Sequence, residues 1–157
     1  MTRISLDQAQ TIVSGALKEA RKLGLKPISV AVLDAGGHLI AFAREDGSSN
    51  LRPQIATAKA SGALALGVSS RTIGEMAIER PTFINAAAGL NPAGIVPAAG
   101  GVLVRADGAV IGAVGVGVGA QGVVRHVARV AVGVEVHVSR RMAVNGVAVF
   151  DTEDAAI

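Results

Sequence analysis

An α/β chain of the α+β kind is what this sequence predicts, and three observations carry the prediction. An amphipathic helical stretch opens the chain, two hairpins with glycine-containing turns occupy residues 28–47 and 101–117, and an alanine-rich helical stretch lies between them. Hairpins and helices that follow one another in this way bury their apolar faces against each other, an antiparallel sheet against helices.

Ser5 followed by Gln8 is a capping-box pattern, and Ala9, Ile12, Val13, Ala16, Leu17 and Ala20 then recur on one helical face. A first helix is therefore expected from about Leu6 to Lys22, stopped by Gly24 and Pro27. The first hairpin has arms at 28–33 and 38–44 around Asp34-Ala35-Gly36-Gly37, whose glycines accept the positive φ of a tight turn. Strict alternation would place His38, Ile40, Phe42 and Arg44 on one face, so that a potential metal-binding side chain begins a largely apolar row.

Pro53 suits the first turn of a second helix that ends near Leu66, kept slim by Ala56, Ala58, Ala60 and Ala63. Ser69 or Ser70 caps a short third helix with Ile73, Met76 and Ala77, limited by Pro81. Residues 83–100, punctuated by Asn91-Pro92 and Pro97, read as a loop, and loops of that length are often functional. A second hairpin, 101–105 with 110–117, turns at Ala106-Asp107-Gly108-Ala109. Beyond Gly119 two periods coexist: Val130, Val132, Val134, Val136 and Val138 alternate as in a strand, while Val123, Val127, Val130, Val134 and Val138 fit a helical stripe. Val144-Asn145-Gly146-Val147 signals a last small hairpin or extended segment before the acidic end.

At 157 residues the chain is expected to form one domain with a real core, residues 120–157 being a divergent C-terminal segment. Half the residues are hydrophobic, but Phe42, Phe83 and Phe150 are the only aromatics, so the core is made of small side chains that let backbones approach. The net charge of +3 is scattered and no aromatic platform interleaves with it, which argues against nucleic-acid binding. With no cysteine there is no disulfide, thiolate ligand or Cys nucleophile. The longest apolar run, 109–120, is short of the roughly 20 residues a membrane helix needs, and no signal-peptide core opens the chain, so no membrane partner and a cytoplasmic location are expected.

The stretch SVAVLDAGGHLIAFAREDG, the segment IATAKASG at 55–62, the Gly100-Gly101 pair, and Asp107-Gly108 followed by IGAVGVGVG together resemble the GlcG/HbpS-type haem-binding family, which includes the C-terminal domain of PduO-type corrinoid adenosyltransferases. The resemblance covers about residues 6–119. It implies a profilin-like sandwich, one antiparallel sheet with helices packed on its faces, usually assembled as a homo-oligomer. It also implies haem, or a related small-molecule ligand, as what is bound. Val102-Leu103 follows the glycine pair where the family commonly has a proline, and the basic, valine-rich stretch after Gly119 replaces an acidic, alanine-rich helix.

His38 is the sharpest candidate, as a haem-iron ligand or general base; the structural alternative is a ring that hydrogen-bonds a backbone carbonyl or Asp34. Arg44 offers planar donors to a ligand carboxylate, against a role at a solvated strand end. Lys59 would hold an anion or act as a base if desolvated, the commoner fate being a side chain that snorkels at the helix edge. Gly100 and Gly101 let a ligand approach their N–H groups, with close sheet packing as the simpler reason for them. His126 and His137 suit solvent or subunit contact better than metal ligation. A haem-binding carrier, sensor or accessory protein with its pocket at the His38 end is the leading expectation. The alternatives are a cofactor-independent enzyme, in which His38 or Lys59 moves a proton and Arg44 holds a small anionic metabolite, and a structural or regulatory oligomer.

Overall fold

The computed structural model describes residues 3–117 and the backbone of 148–150. Its elements are α1 (Leu6–Lys22), β1 (Ser29–Asp34), β2 (Leu39–Arg44), α2 (Arg52–Leu66), α3 (Ser70–Glu79), α4 (Pro81–Leu90), β3 (Gly101–Ala106), β4 (Ala109–Gly117) and β5 (Ala148–Phe150). All pairings are antiparallel and the strands lie in the order β2-β1-β4-β3-β5. Two hairpins thus meet along the β1–β4 seam, and helices cover both faces of the sheet.

Ser5 and Gln8 close the expected capping box, each side chain bonded to the other's backbone N–H at 3.2 and 2.9 Å. From that start α1 lays Ala9, Ile12, Val13, Ala16 and Ala20 on Val30, Val32, Val104, Val114 and Val116, the main core. Glu45 locks the far end: its buried carboxylate accepts the Ile28 N–H at 2.7 Å and pairs with Arg21 in the last turn of α1.

The opposite face is nearly bare of side chains. Ser29 and Ala31 on β1, Gly101 on β3, and Ala113, Gly115 and Gly117 on β4 leave Leu33 and Leu103, with the half-buried Val110, as the bulky apolar side chains packed toward α2. The helix therefore rests its backbone directly on the sheet. A Cβ at Gly115 would overlap the carbonyl oxygen of Ala56, one at Gly101 that of Lys59, and one at Gly117 would stand 2.9 Å from that of Arg52. Gly101 and Gly115 are cross-strand partners, so the three glycines form one continuous floor.

Both expected turns form. Asp107 and Gly108 have φ of 49° and 80°, the pair of positive values a two-residue type I′ turn requires. At the other hairpin the register jumps between Val32, opposite Ala41, and Leu33, opposite Leu39, leaving Ile40 unpaired. This bulge corrects the single-face expectation: Ile40 and Ala41 both turn toward the α1 core, while Leu39, Phe42 and Arg44 are exposed. A helix likewise replaces the first part of the expected loop at 83–100. Pro81 ends α3 and, at the first position of α4, starts the next helix, because its missing N–H is unneeded there. Ile84, Ala87 and Ala88 then pack with Ile73 and Ile95, and the loop shrinks to 91–100.

Residues 118–147 lie outside the described residues, and with them the strand-or-helix question at Val123–Val138 and the turn at Asn145-Gly146. The extended segment expected near the end is present as β5, paired with β3. No described helix is long and apolar enough to cross a membrane.

Gly115→Ala is expected to lower unfolding free energy in urea by at least about 3 kcal/mol, since a helix carbonyl cannot step aside as a side chain can. Gly89→Ala, in α4 with open space around it, should instead stabilise by about 0.5–1 kcal/mol. Equal midpoints for wild type and Gly115→Ala would contradict the seating of α2.

Candidate functional site

The first hairpin turn is built around one carboxylate. Asp34 Oδ1 accepts the N–H groups of Gly36 and His38, both at 2.9 Å, and Nδ1 of the His38 ring lies 3.1 Å from Oδ1 and 3.2 Å from Oδ2. These bonds, above all the one from the His38 backbone, hold the Asp34 carboxyl below its ordinary value of 3.8 against the smaller opposing effect of burial. An ionised carboxylate beside Nδ1 keeps the ring proton of the neutral imidazole there, which leaves a lone pair on Nε2; this tautomer is inferred from the hydrogen-bond partners.

Gly36 makes the arrangement sterically feasible. A Cβ at that position would come within 2.8 Å of His38 Cε1 and 2.9 Å of Nδ1, so only glycine lets the ring fold back over the turn. Gly37, at φ +83°, supplies the left-handed residue. The His38 side chain remains 80% exposed, and Nε2 has no partner among the described residues. Leu39 and Phe42 on the adjoining edge strand are exposed as well.

The other candidate residues gather at the opposite end of the sheet. Arg44 sits six residues along from His38, roughly 20 Å at about 3.3 Å per strand residue. Its Nη2 braces its own loop, donating to Ser48 O and to Asn50 Oδ1. Lys59 does not snorkel: it is 4% exposed, because α2 lies too close to the sheet for the chain to escape sideways. Its ammonium donates to Ala99 O at 2.7 Å and Val116 O at 3.3 Å. No described carboxylate pairs with it. Burial, helped by the charge of Arg52, pulls its pKa from 10.5 down to about 8.

Gly100 and Gly101 join Lys59 there, with the Gly100 carbonyl and the Gly101 N–H already engaged. Gly100 O accepts the Val116 N–H at 2.8 Å. Gly101 N–H donates to Ser70 Oγ at 2.6 Å, and that hydroxyl donates to Ala98 O at 2.6 Å. Ser69 is the cap of α3, and Ser70 is a buried hub that sequence reasoning missed, since nothing in a serine next to a capping serine announces partners some thirty residues away. The fold thus unites Asp34 with His38, and Lys59 with Gly100 and Gly101, while Arg44, at the same end of the sheet as Lys59, bonds within its own loop. His126 and His137 lie outside the described residues. Among those described, no three His, Cys, Asp or Glu side chains converge as a metal site.

Residues 4–133 match the family described as haem degrading protein HbpS-like. A crystal structure of HbpS from Streptomyces reticuli, a double mutant, is 27% identical and superimposes with a TM-score of 0.74 over 87% of this chain and 90% of that one. The Klebsiella pneumoniae protein ORFY is 25% identical over 85% of this chain and 91% of its own, at a TM-score of 0.75. The crystal structure of a PduOC–haem complex, 21% identical over 84% of this chain and 94% of that chain with a TM-score of 0.74, shares the fold. No curated protein sequence matches significantly.

Lys59 makes a pH-dependent contribution whose sign follows from its lowered value. Between pH 8 and 10.5 the unfolded chain binds the proton that the folded chain has lost, so stability rises with pH through that window and the cost of burial is full below pH 8. Relative to Lys59→Met, the wild type should gain about 2–3 kcal/mol of urea-unfolding free energy between about pH 7 and 10. Parallel pH profiles for the two proteins would show that the ammonium is not buried.

Proposed function

The chain belongs to the HbpS-like family of haem-degrading proteins, and from that premise we propose that it binds haem, or a closely related small ligand, at the Asp34–His38 turn, as a carrier, sensor or accessory protein. One observation carries the reading: an exposed imidazole whose Nδ1 is held by a carboxylate and whose Nε2 faces no partner among the described residues. That is the state in which histidine ligates iron.

The residues present fit the group. His38 would bind the iron, and Leu39 and Phe42, exposed on the same edge strand, offer apolar surface for the macrocycle. Haem, when bound, supplies an iron centre with one-electron redox chemistry. The protein's part is to present one nitrogen donor in a fixed tautomer. Arg44, about 20 Å along the strand from His38 and with Nη2 donating to Ser48 and Asn50, is left out of this site.

An open turn covers one face of such a ligand, and the reading therefore includes self-association, with a second copy as the other wall. The exposed Leu39, Phe42 and Leu51 support it. The alternative of an enzyme for a small anionic metabolite needs His38 or Lys59 to move a proton beside an anion held by Arg44; His38 lies about 20 Å along the strand from Arg44, and the Lys59 ammonium donates to two backbone carbonyls.

Haemin titration followed by absorbance tests the proposal. The wild type is expected to saturate with a Soret shift, at a stoichiometry read against the oligomer mass, and His38→Ala to bind at least about 10-fold more weakly while keeping its helical circular dichroism. Equal saturation curves would remove His38 as the ligand.

A further inference from the structure

We propose that Asp34 is a positioning residue: it fixes the tautomer of His38 and strengthens Nε2 as a donor to ferric porphyrin iron. The inference rests on the haem-binding reading and deepens it by assigning how the ligand residue is tuned.

Three independent features of the turn converge on the ring. Asp34 meets Nδ1 through both oxygens, at 3.1 and 3.2 Å. Oδ1 is at the same time pinned by two backbone N–H groups at 2.9 Å, so the carboxylate cannot swing away to solvent. At residue 36 a Cβ would stand 2.8–2.9 Å from the ring, and that residue is a glycine. A ring merely left at the surface would need none of these restraints.

The chemical consequence follows from where the Nδ1 proton sits. A fixed carboxylate that accepts this proton's hydrogen bond puts partial imidazolate character on the ring and raises the electron density at Nε2. A more electron-rich nitrogen favours ferric over ferrous iron, so Asp34 lowers the midpoint potential of bound haem. Arg44 and Lys59 lie too far along the sheet to oppose it, by roughly 13–20 Å on the strand register.

Asp34→Asn tests the assignment because the amide oxygen can keep the Gly36 and His38 backbone bonds made by Oδ1, while an NH2 group replaces Oδ2, 3.2 Å from Nδ1, and the negative charge beside the ring is removed. Two readouts separate this inference from the binding proposal. In the apoprotein at about pH 8.5, above the usual imidazole value of about 6.5, 15N correlation spectra of the His38 ring, assigned with His38→Ala, should show the Nδ1–H tautomer. The proportion of that tautomer should fall in Asp34→Asn. In the haemin-loaded proteins, affinity should fall about 10–100-fold in the variant. Its midpoint potential should rise, by about 59 mV for each tenfold difference between the ferric and ferrous losses. An Nε2–H tautomer in the wild type overturns the inference even if the variant does not fold, and so does an unchanged potential in a variant that still binds through His38. Haemin binding that survives His38→Ala, with the Nδ1–H tautomer intact, overturns the haem-binding site and the tuning of iron with it, and leaves only the tautomer assignment standing.

Discussion

The contact between the backbone of α2 and the glycine floor of the sheet is the constraint on which the rest of the structure depends. Arg52, Ala56 and Lys59 recur at helical spacing, and their carbonyl oxygens stand over Gly117, Gly115 and Gly101 where no Cβ fits. An ordinary strand pair at these positions would lift the helix by a side chain. Close seating shuts the Lys59 ammonium beneath α2, and among the described residues backbone carbonyls solvate it, Ala99 O and Val116 O. It also brings α3 near enough for Ser70 to join Gly101 to Ala98.

The two ends of the sheet consequently do different work. At the α2 end, polar groups are consumed internally: Arg44 braces its loop, Lys59 binds carbonyls, and the Glu45 carboxylate fastens α1 to the hairpin. At the other end the Asp34 turn holds its own backbone in place and still leaves an imidazole nitrogen outward. A group that stabilises its own fold has little left for a ligand. On that physical ground we propose the His38 turn, rather than the Lys59 cluster, as the site.

Local signals were readable wherever one interaction range decided the outcome. The α1 capping box, the Asp-Gly turn and the Pro53 helix start act within four residues, and each appears as expected. What escaped depends on partners far along the chain. The Ile40 bulge is a matter of strand register, which alternation within one strand does not encode. α4 was hidden because Asn91, Pro92 and several small residues look like a loop, and its helix is held by Ile84 packing on Ile73 and Ile95. The fate of Lys59 turned on glycines more than forty positions later, and Ser70 on a carbonyl at residue 98. For the candidate site the pair Asp34 and His38 was legible, since both partners sit in one turn. The separation of Arg44 and Lys59 from it required the sheet.

The central claim is that a porphyrin is met by the Asp34–His38 turn, and it is tested most directly by mapping amide 1H–15N shifts while diamagnetic zinc protoporphyrin is added. The account predicts perturbations concentrated on residues 33–42. Shifts centred on α2 and the Lys59 carbonyls, or on the polar face of α1, with the 33–42 amides silent, would contradict it.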